Sequence, residues 1–177
     1  MKINIKDLQV NYIQYGKGKD ILLLHGWGQN IEMMKPVGDN FANNYRITII
    51  DFPGFGQSEE PKSPWTIEKY SHMLEVFVEK TNIKKPIVIG HSFGGRVAIR
   101  YSARNPIEKL ILFGSPCIRI EEPTLLIWGE NDTEAPLNEA KELEKIMNDA
   151  ALIVLPGTHY AYLENLSRVI SILESFI

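Results

Sequence analysis

Five short stretches, 21–24, 87–89, 110–113, 125–128 and 152–155, are apolar at every position, and a sixth, 45–50, is largely so. A strand with one wet face alternates polar and apolar residues, whereas a strand without polar positions is buried on both faces. Parallel strands covered by helices on both sides have that character, and parallel neighbours need a crossover connection, usually a helix. The intervening segments supply helices. Ile67, Tyr70, Leu74, Phe77 and Val78 share one helical face. Leu143, Ile146 and Met147 share another, and Leu163, Leu166, Val169, Ile170, Leu173 and Phe176 a third. The expected fold class is therefore α/β, a doubly wound, mostly parallel sheet flanked by helices. Ahead of the parallel strands, 3–10 and 11–15 read as a first strand pair, followed by the turn Gly16-Lys17-Gly18.

At 177 residues the chain reads as one domain, 1–177. Its formal net charge is −3 and it has no Lys/Arg-rich run, which argues against a nucleic-acid partner. The single cysteine, Cys117, rules out an intramolecular disulfide and a cysteine-based zinc site, so the expectation is a reducing compartment and no metal. The first ten residues lack the apolar core of a signal peptide, and no run approaches the roughly 20 residues of a membrane span. The chain reads as cytoplasmic, without a membrane span.

The chemistry lies after the apolar strands. Ser92 stands in Gly90-His91-Ser92-Phe93-Gly94-Gly95, between the strand 87–89 and a helical stretch. A Gly-x-Ser-x-Gly sequence in that setting makes a sharp turn that lifts the serine hydroxyl above the sheet edge, with Gly90 and Gly94 permitting the close approach. A hydroxyl is a weak nucleophile without a base. Of the four histidines, His159 follows the last apolar strand and precedes the last helix, where an open α/β sheet places its reactive groups. His25 reads as a brace for its loop and His72 as a surface or packing residue. Asp132, after the strand 125–128, is the acid that would orient His159, with Glu130 as its rival. After the strand 21–24 comes His25-Gly26-Trp27-Gly28; here the backbone N–H of Trp27, with that of Phe93, could hold a developing oxyanion.

These motifs resemble those of the α/β-hydrolase superfamily, within it the serine esterases and lipases. The resemblance extends to Asp51-Phe52-Pro53-Gly54-Phe55-Gly56-Gln57-Ser58 and to Trp128-Gly129-Glu130-Asn131-Asp132-Thr133-Glu134-Ala135-Pro136, and the second of these selects Asp132 over Glu130. The biotin-pathway methyl ester esterases look similar at His25–Gly28 and around Ser115-Pro116-Cys117. The resemblance implies catalytic Ser92, Asp132 and His159, an oxyanion hole at Trp27 and Phe93, supporting positions His25, Gly26, Gly28, Gly90 and Gly94, and no cofactor.

The departure from such relatives is the helical cap, which is reduced here to about 115–123. The expectation is a lidless carboxylic ester hydrolase working through an acyl-enzyme on small esters. A hydrolase-fold scaffold or ligand-binding module with little turnover is the alternative, and another reaction on the same triad, at a carbon–carbon or amide bond, also stays open. Loss of the lid is expected to expose Trp27, Phe93, Ile118 and Tyr160 and to favour a weak homodimer through the uncovered face. Cys117 reads as a small filler or a residue lining the pocket.

Overall fold

The computed structural model describes residues 1–115, 122–147 and 149–177. In chain order the elements are β1 (Lys2–Ile5), β2 (Leu8–Gly16), β3 (Lys19–Leu24), α1 (Ile31–Gly38), β4 (Tyr45–Ile50), α2 (Ile67–Lys80), β5 (Ile87–His91), α3 (Phe93–Ser102), β6 (Lys109–Phe113), β7 (Thr124–Gly129), α4 (Leu137–Ile146), β8 (Ala150–Leu155), α5 (Ala161–Glu164) and α6 (Leu166–Phe176). One open, eight-stranded sheet runs β1-β2-β4-β3-β5-β6-β7-β8. The β1–β2 and β2–β4 pairs are antiparallel, and every later pair is parallel.

The apolar runs are buried on both faces, as their composition requires. Along β3, Leu22 and Leu24 point into one core cluster with Tyr70, Phe77 and Val97, so α2 and α3 cover that face. Ile21 and Leu23 point into the other, with Met34, Val37, Ile170 and Leu173 from α1 and α6. β5 and β6 divide in the same way: Val88, Leu110 and Leu112 face one layer, and Ile89, Ile111 and Phe113 the other. The chain winds from β3 outward to β4 and then back past β3 to β5. That reversal makes the carboxyl ends of β3 and β5 a topological switch point, the position where open α/β sheets bind ligands.

Several details differ from the sequence expectation. The first hairpin turns at Lys6 and Asp7, both at positive φ (48° and 69°), so 8–16 is one continuous strand rather than broken at Asn11. Two consecutive positive φ values give the hand of turn that matches strand twist, but Lys-Asp lacks the Asn-Gly signature that announces it. Replacing Lys6-Asp7 by Asn-Gly is expected to raise stability by about 1 kcal/mol, read as a higher urea midpoint; an unchanged or lower midpoint would contradict the turn.

Helix α1 was not anticipated. It has only eight residues with Pro36 inside, and its start is capped by Asn30, whose side chain accepts from the Glu32 amide at 2.9 Å. The last helical stretch is two helices, α5 and α6, meeting at Asn165. Ile146 is exposed rather than on the buried face of α4. Among the described residues no helix is long and apolar enough to cross a membrane.

Candidate active site

Ser92 joins β5 to α3 at φ 48° and ψ −112°, a region that a non-glycine residue enters at a cost of about 1–3 kcal/mol. Its surroundings enforce the turn. The Ser92 N–H donates to the Phe113 carbonyl at 2.9 Å. The Ser92 carbonyl accepts from Ser115 Oγ at 2.9 Å and from the Arg96 amide at 3.1 Å. A methyl group on Gly90 would overlap the backbone of Gly95, and one on Gly94 would overlap the carbonyl oxygens of Leu24 and His25. The start of α3 is therefore pressed against the ends of β3 and β5, with the partly exposed Ser92 at the tip.

The loop after β3 is braced from below. His25 is fully buried. Its Nε2 accepts from the Phe52 amide at 3.0 Å and its Nδ1 lies 2.7 Å from the Gly26 carbonyl, which fixes a neutral ring with the proton on Nδ1. Burial lowers its pKa, consistent with a brace. Gly28 sits at φ 70° with open space where a side chain would stand. Among the described residues, neither the Trp27 nor the Phe93 amide donates to any acceptor.

His159 and Asp132 meet where β7 and β8 end. His159 Nδ1 lies 2.8 Å from Asp132 Oδ2, and both side chains are buried. Asp132 Oδ1 also accepts from the amides of Glu134 (3.0 Å) and Ala135 (2.8 Å), so the carboxylate is held in place. Trp128, fully buried, donates from Nε1 to the Ala135 carbonyl and anchors the same loop. Gly114, at φ 51°, lies against both members of the pair, the imidazole and the carboxylate: a methyl there would stand 3.0 Å from His159 Nδ1 and 3.1 Å from Asp132 Oδ2. The other nitrogen, His159 Nε2, is buried and has no hydrogen-bond partner among the described residues. Glu134 Oε2 lies 3.8 Å from it.

Sequence reasoning missed Gln29 and the role of His91. Gln29 Oε1 accepts from the Gly26 amide at 2.9 Å and lies 3.1 Å from His91 Nδ1. His91 Nε2 lies 3.1 Å from the His159 carbonyl. A line of polar groups thus runs from the glycine-rich loop through His91 to the His159 backbone. A neutral ring has one proton for two acceptors, so its tautomer decides which loop it holds. Nothing in the spacing of Gln29 and His91, 62 positions apart, signals this contact.

Burial, with a smaller repulsion from His159, pushes His91 down to about 3. A histidine whose folded value lies below its free value of about 6.5 gives stability that is complete above 6.5 and is lost as pH falls toward 3. From pH 7 to pH 5 this one group is expected to remove about 2 kcal/mol. Urea unfolding of the native chain and His91→Gln at both pH values checks it. The loss should be smaller in the variant by about that amount, and equal losses would contradict the buried neutral ring.

Ser92, His159, Asp132 and the amides of Trp27 and Phe93 all follow the carboxyl ends of strands of one sheet; His159 and Asp132 are joined at 2.8 Å, whereas Ser92 makes no hydrogen bond to His159 Nε2. The structure corrects one expectation about exposure. The Phe93 side chain is buried, packed edge-on against Phe52, Tyr70 and Trp27; aromatic neighbours from α2 and the loop after β4 cover it. Trp27 is 67% exposed and Tyr160 partly so. Ile118 and Cys117 lie outside the described residues. Among the described residues no cluster of three metal-ligating side chains occurs.

Comparison with known proteins agrees with the fold. A family model described as the alpha/beta hydrolase fold matches residues 20–116. The chain is similar to two proteins named pimeloyl-[acyl-carrier protein] methyl ester esterase. The one from Aeromonas salmonicida is 31% identical over 118 residues, covering 62% of this chain and 43% of the relative. The one from Nitrosomonas europaea is 28% identical over 170 residues, covering 92% of this chain and 62% of the relative. The chain thus spans less than two thirds of the length of either. In fold it is similar to an esterase from Exiguobacterium antarcticum, with a TM-score of 0.92 at 16% identity, covering 99% of this chain and 98% of that one.

Proposed function

The chain belongs to the α/β-hydrolase fold family, and from that premise we propose that it is a carboxylic ester hydrolase acting through an acyl-enzyme on Ser92. The observation that carries the reading is the His159 imidazole. One nitrogen is held on Asp132 at 2.8 Å and the other is buried without a partner. An unpaired buried nitrogen costs stability unless something uses it.

In the proposed reaction His159 Nε2 takes the Ser92 hydroxyl proton as Oγ attacks the ester carbonyl. The carbonyl π bond opens to an oxyanion, which accepts from the Trp27 and Phe93 amides. Collapse breaks the bond to the leaving oxygen, and the proton passes from Nε2 to the departing alcohol. Water then attacks the acyl-serine. His159 takes its proton and returns it to Ser92 Oγ as the acid leaves. Asp132 keeps the Nδ1 proton in place and stabilises the imidazolium throughout.

The substrate range follows from the short connection between β6 and β7, residues 114–123. Ten positions are too few to hold a helical cap domain, so the proposed site is lidless and small esters fit it best. An open cleft of about 450 Å³, walled by Trp27, Phe55, Trp65 and Tyr70, lies beside the loop after β3. A strongly solvated site also weakens each oxyanion hydrogen bond, so modest turnover is expected. The names of the methyl ester esterase relatives support ester chemistry.

Release of p-nitrophenol from acetate and butyrate esters tests the proposal. Many equivalents released per chain, acetate and butyrate ahead of long-chain esters, is the expected result. Ester binding with no release beyond background would overturn it in favour of a binding module.

A further inference from the structure

Glu134 stands beside the nitrogen that would serve the leaving group. Its backbone N–H is tied to Asp132 Oδ1 at 3.0 Å, so the residue is fixed on the same acid that holds His159. Its carboxylate oxygen Oε2 lies 3.8 Å from His159 Nε2, the buried nitrogen without a hydrogen-bond partner. The Glu134 side chain is 63% exposed while that of His159 is 5% exposed, so the carboxylate lies at the solvent side of the nitrogen. Among the described residues, His159 is the only basic group within 4.0 Å of the Glu134 carboxylate.

In the proposed reaction Nε2 gives its proton to the alcohol oxygen, which must come within about 3 Å of it. The alcohol half of the ester therefore passes within a few ångströms of Glu134, whereas the acyl half remains on Ser92. We infer that Glu134 makes this site selective for the charge of the alcohol: it favours esters of cationic alcohols, such as quaternary ammonium alcohols, and disfavours esters of alcohols bearing a carboxylate. This rests on the ester hydrolase reading above. The charge acts through space on a partly solvated group, so the effect is moderate and salt-sensitive.

The test uses acetate esters of two phenols, 3-hydroxyphenyltrimethylammonium and 3-hydroxybenzoate, with the native chain and Glu134→Gln. The readout is the cation-to-anion ratio of kcat/KM, and comparing that ratio between the two proteins cancels the intrinsic reactivities of the esters. The ratio is expected to fall about tenfold in Glu134→Gln at low ionic strength, and to fall in the native chain when salt is raised to about 0.5 M. Monophenyl succinate, whose charge is on the acyl side, should change less than about twofold between the two proteins, because its carboxylate is farther from Glu134. An unchanged ratio in chains that still turn over ester would overturn the inference and leave the hydrolase reading intact. If neither chain turns over either ester, the hydrolase reading fails instead. The two phenols themselves then report, by NMR titration, whether cation binding over anion binding depends on Glu134; equal preference in both proteins overturns the inference.

Discussion

Ser92→Ala is expected to lower kcat for p-nitrophenyl acetate by about 10⁵-fold while leaving the free energy of urea unfolding within about 1 kcal/mol of native. The two readouts separate because, in the proposed reaction, the hydroxyl is the nucleophile and holds little structure. Ser92 opens α3 without a side-chain capping bond. The turn is held instead by its backbone bonds to Phe113, Ser115 and Arg96, and alanine keeps all of them. The residual rate would come from the Trp27 and Phe93 amides acting on a bound ester attacked by water. A variant that retained most of its turnover would move the nucleophile elsewhere. One that lost turnover and stability together would show that the turn, rather than the hydroxyl, had failed.

Gly94→Ala is expected to cost about 3 kcal/mol and to lower the melting temperature by about 6–12 °C, with turnover reduced as well. The added methyl group would overlap the Leu24 and His25 carbonyl oxygens. Backbone at the end of β3 cannot move without carrying the His25-Gly26-Trp27 loop with it, because His25 is locked between Phe52 and Gly26. The strain therefore reaches the proposed oxyanion donors directly. Serine or alanine at an exposed position of α3, such as Arg96, should change stability by less than about 0.5 kcal/mol, which makes it the matched control. A Gly94→Ala chain of native stability would mean that α3 does not pack against β3 as described.

The sheet was readable from sequence because its evidence is local. Runs such as 110–113 carry no polar position, and both faces of β6 are indeed buried. Its strand order was not readable, since whether β4 lies outside β3 depends on contacts 26 positions apart, as between Asp20 and Arg46. The first hairpin was misplaced because Lys6 and Asp7 adopt positive φ without the residues that favour it. α1 was missed because eight residues around Pro36 show too little period. At the candidate site, Ser92 and Asp132 each sit in a recognisable local motif, and His159 is proposed from its place after the last strand. Gln29, His91 and Glu134 act across the fold. Gln29 reaches His91 from a different loop, and Glu134 meets His159 only because the ends of β7 and β8 are neighbours. The burial of Phe93 is not legible in its own segment, because the aromatic side chains of Phe52 and Tyr70 that cover it come from other segments.

The central claim is that Ser92 is a nucleophile activated by His159. Its most direct measurement is the intact mass of the chain after treatment with a fluorophosphonate, followed by peptide mapping. The account predicts one phosphonyl group per chain, located on Ser92, with labelling strongly slowed in His159→Ala. No adduct, or an adduct on another residue with Ser92 unmodified, would contradict it.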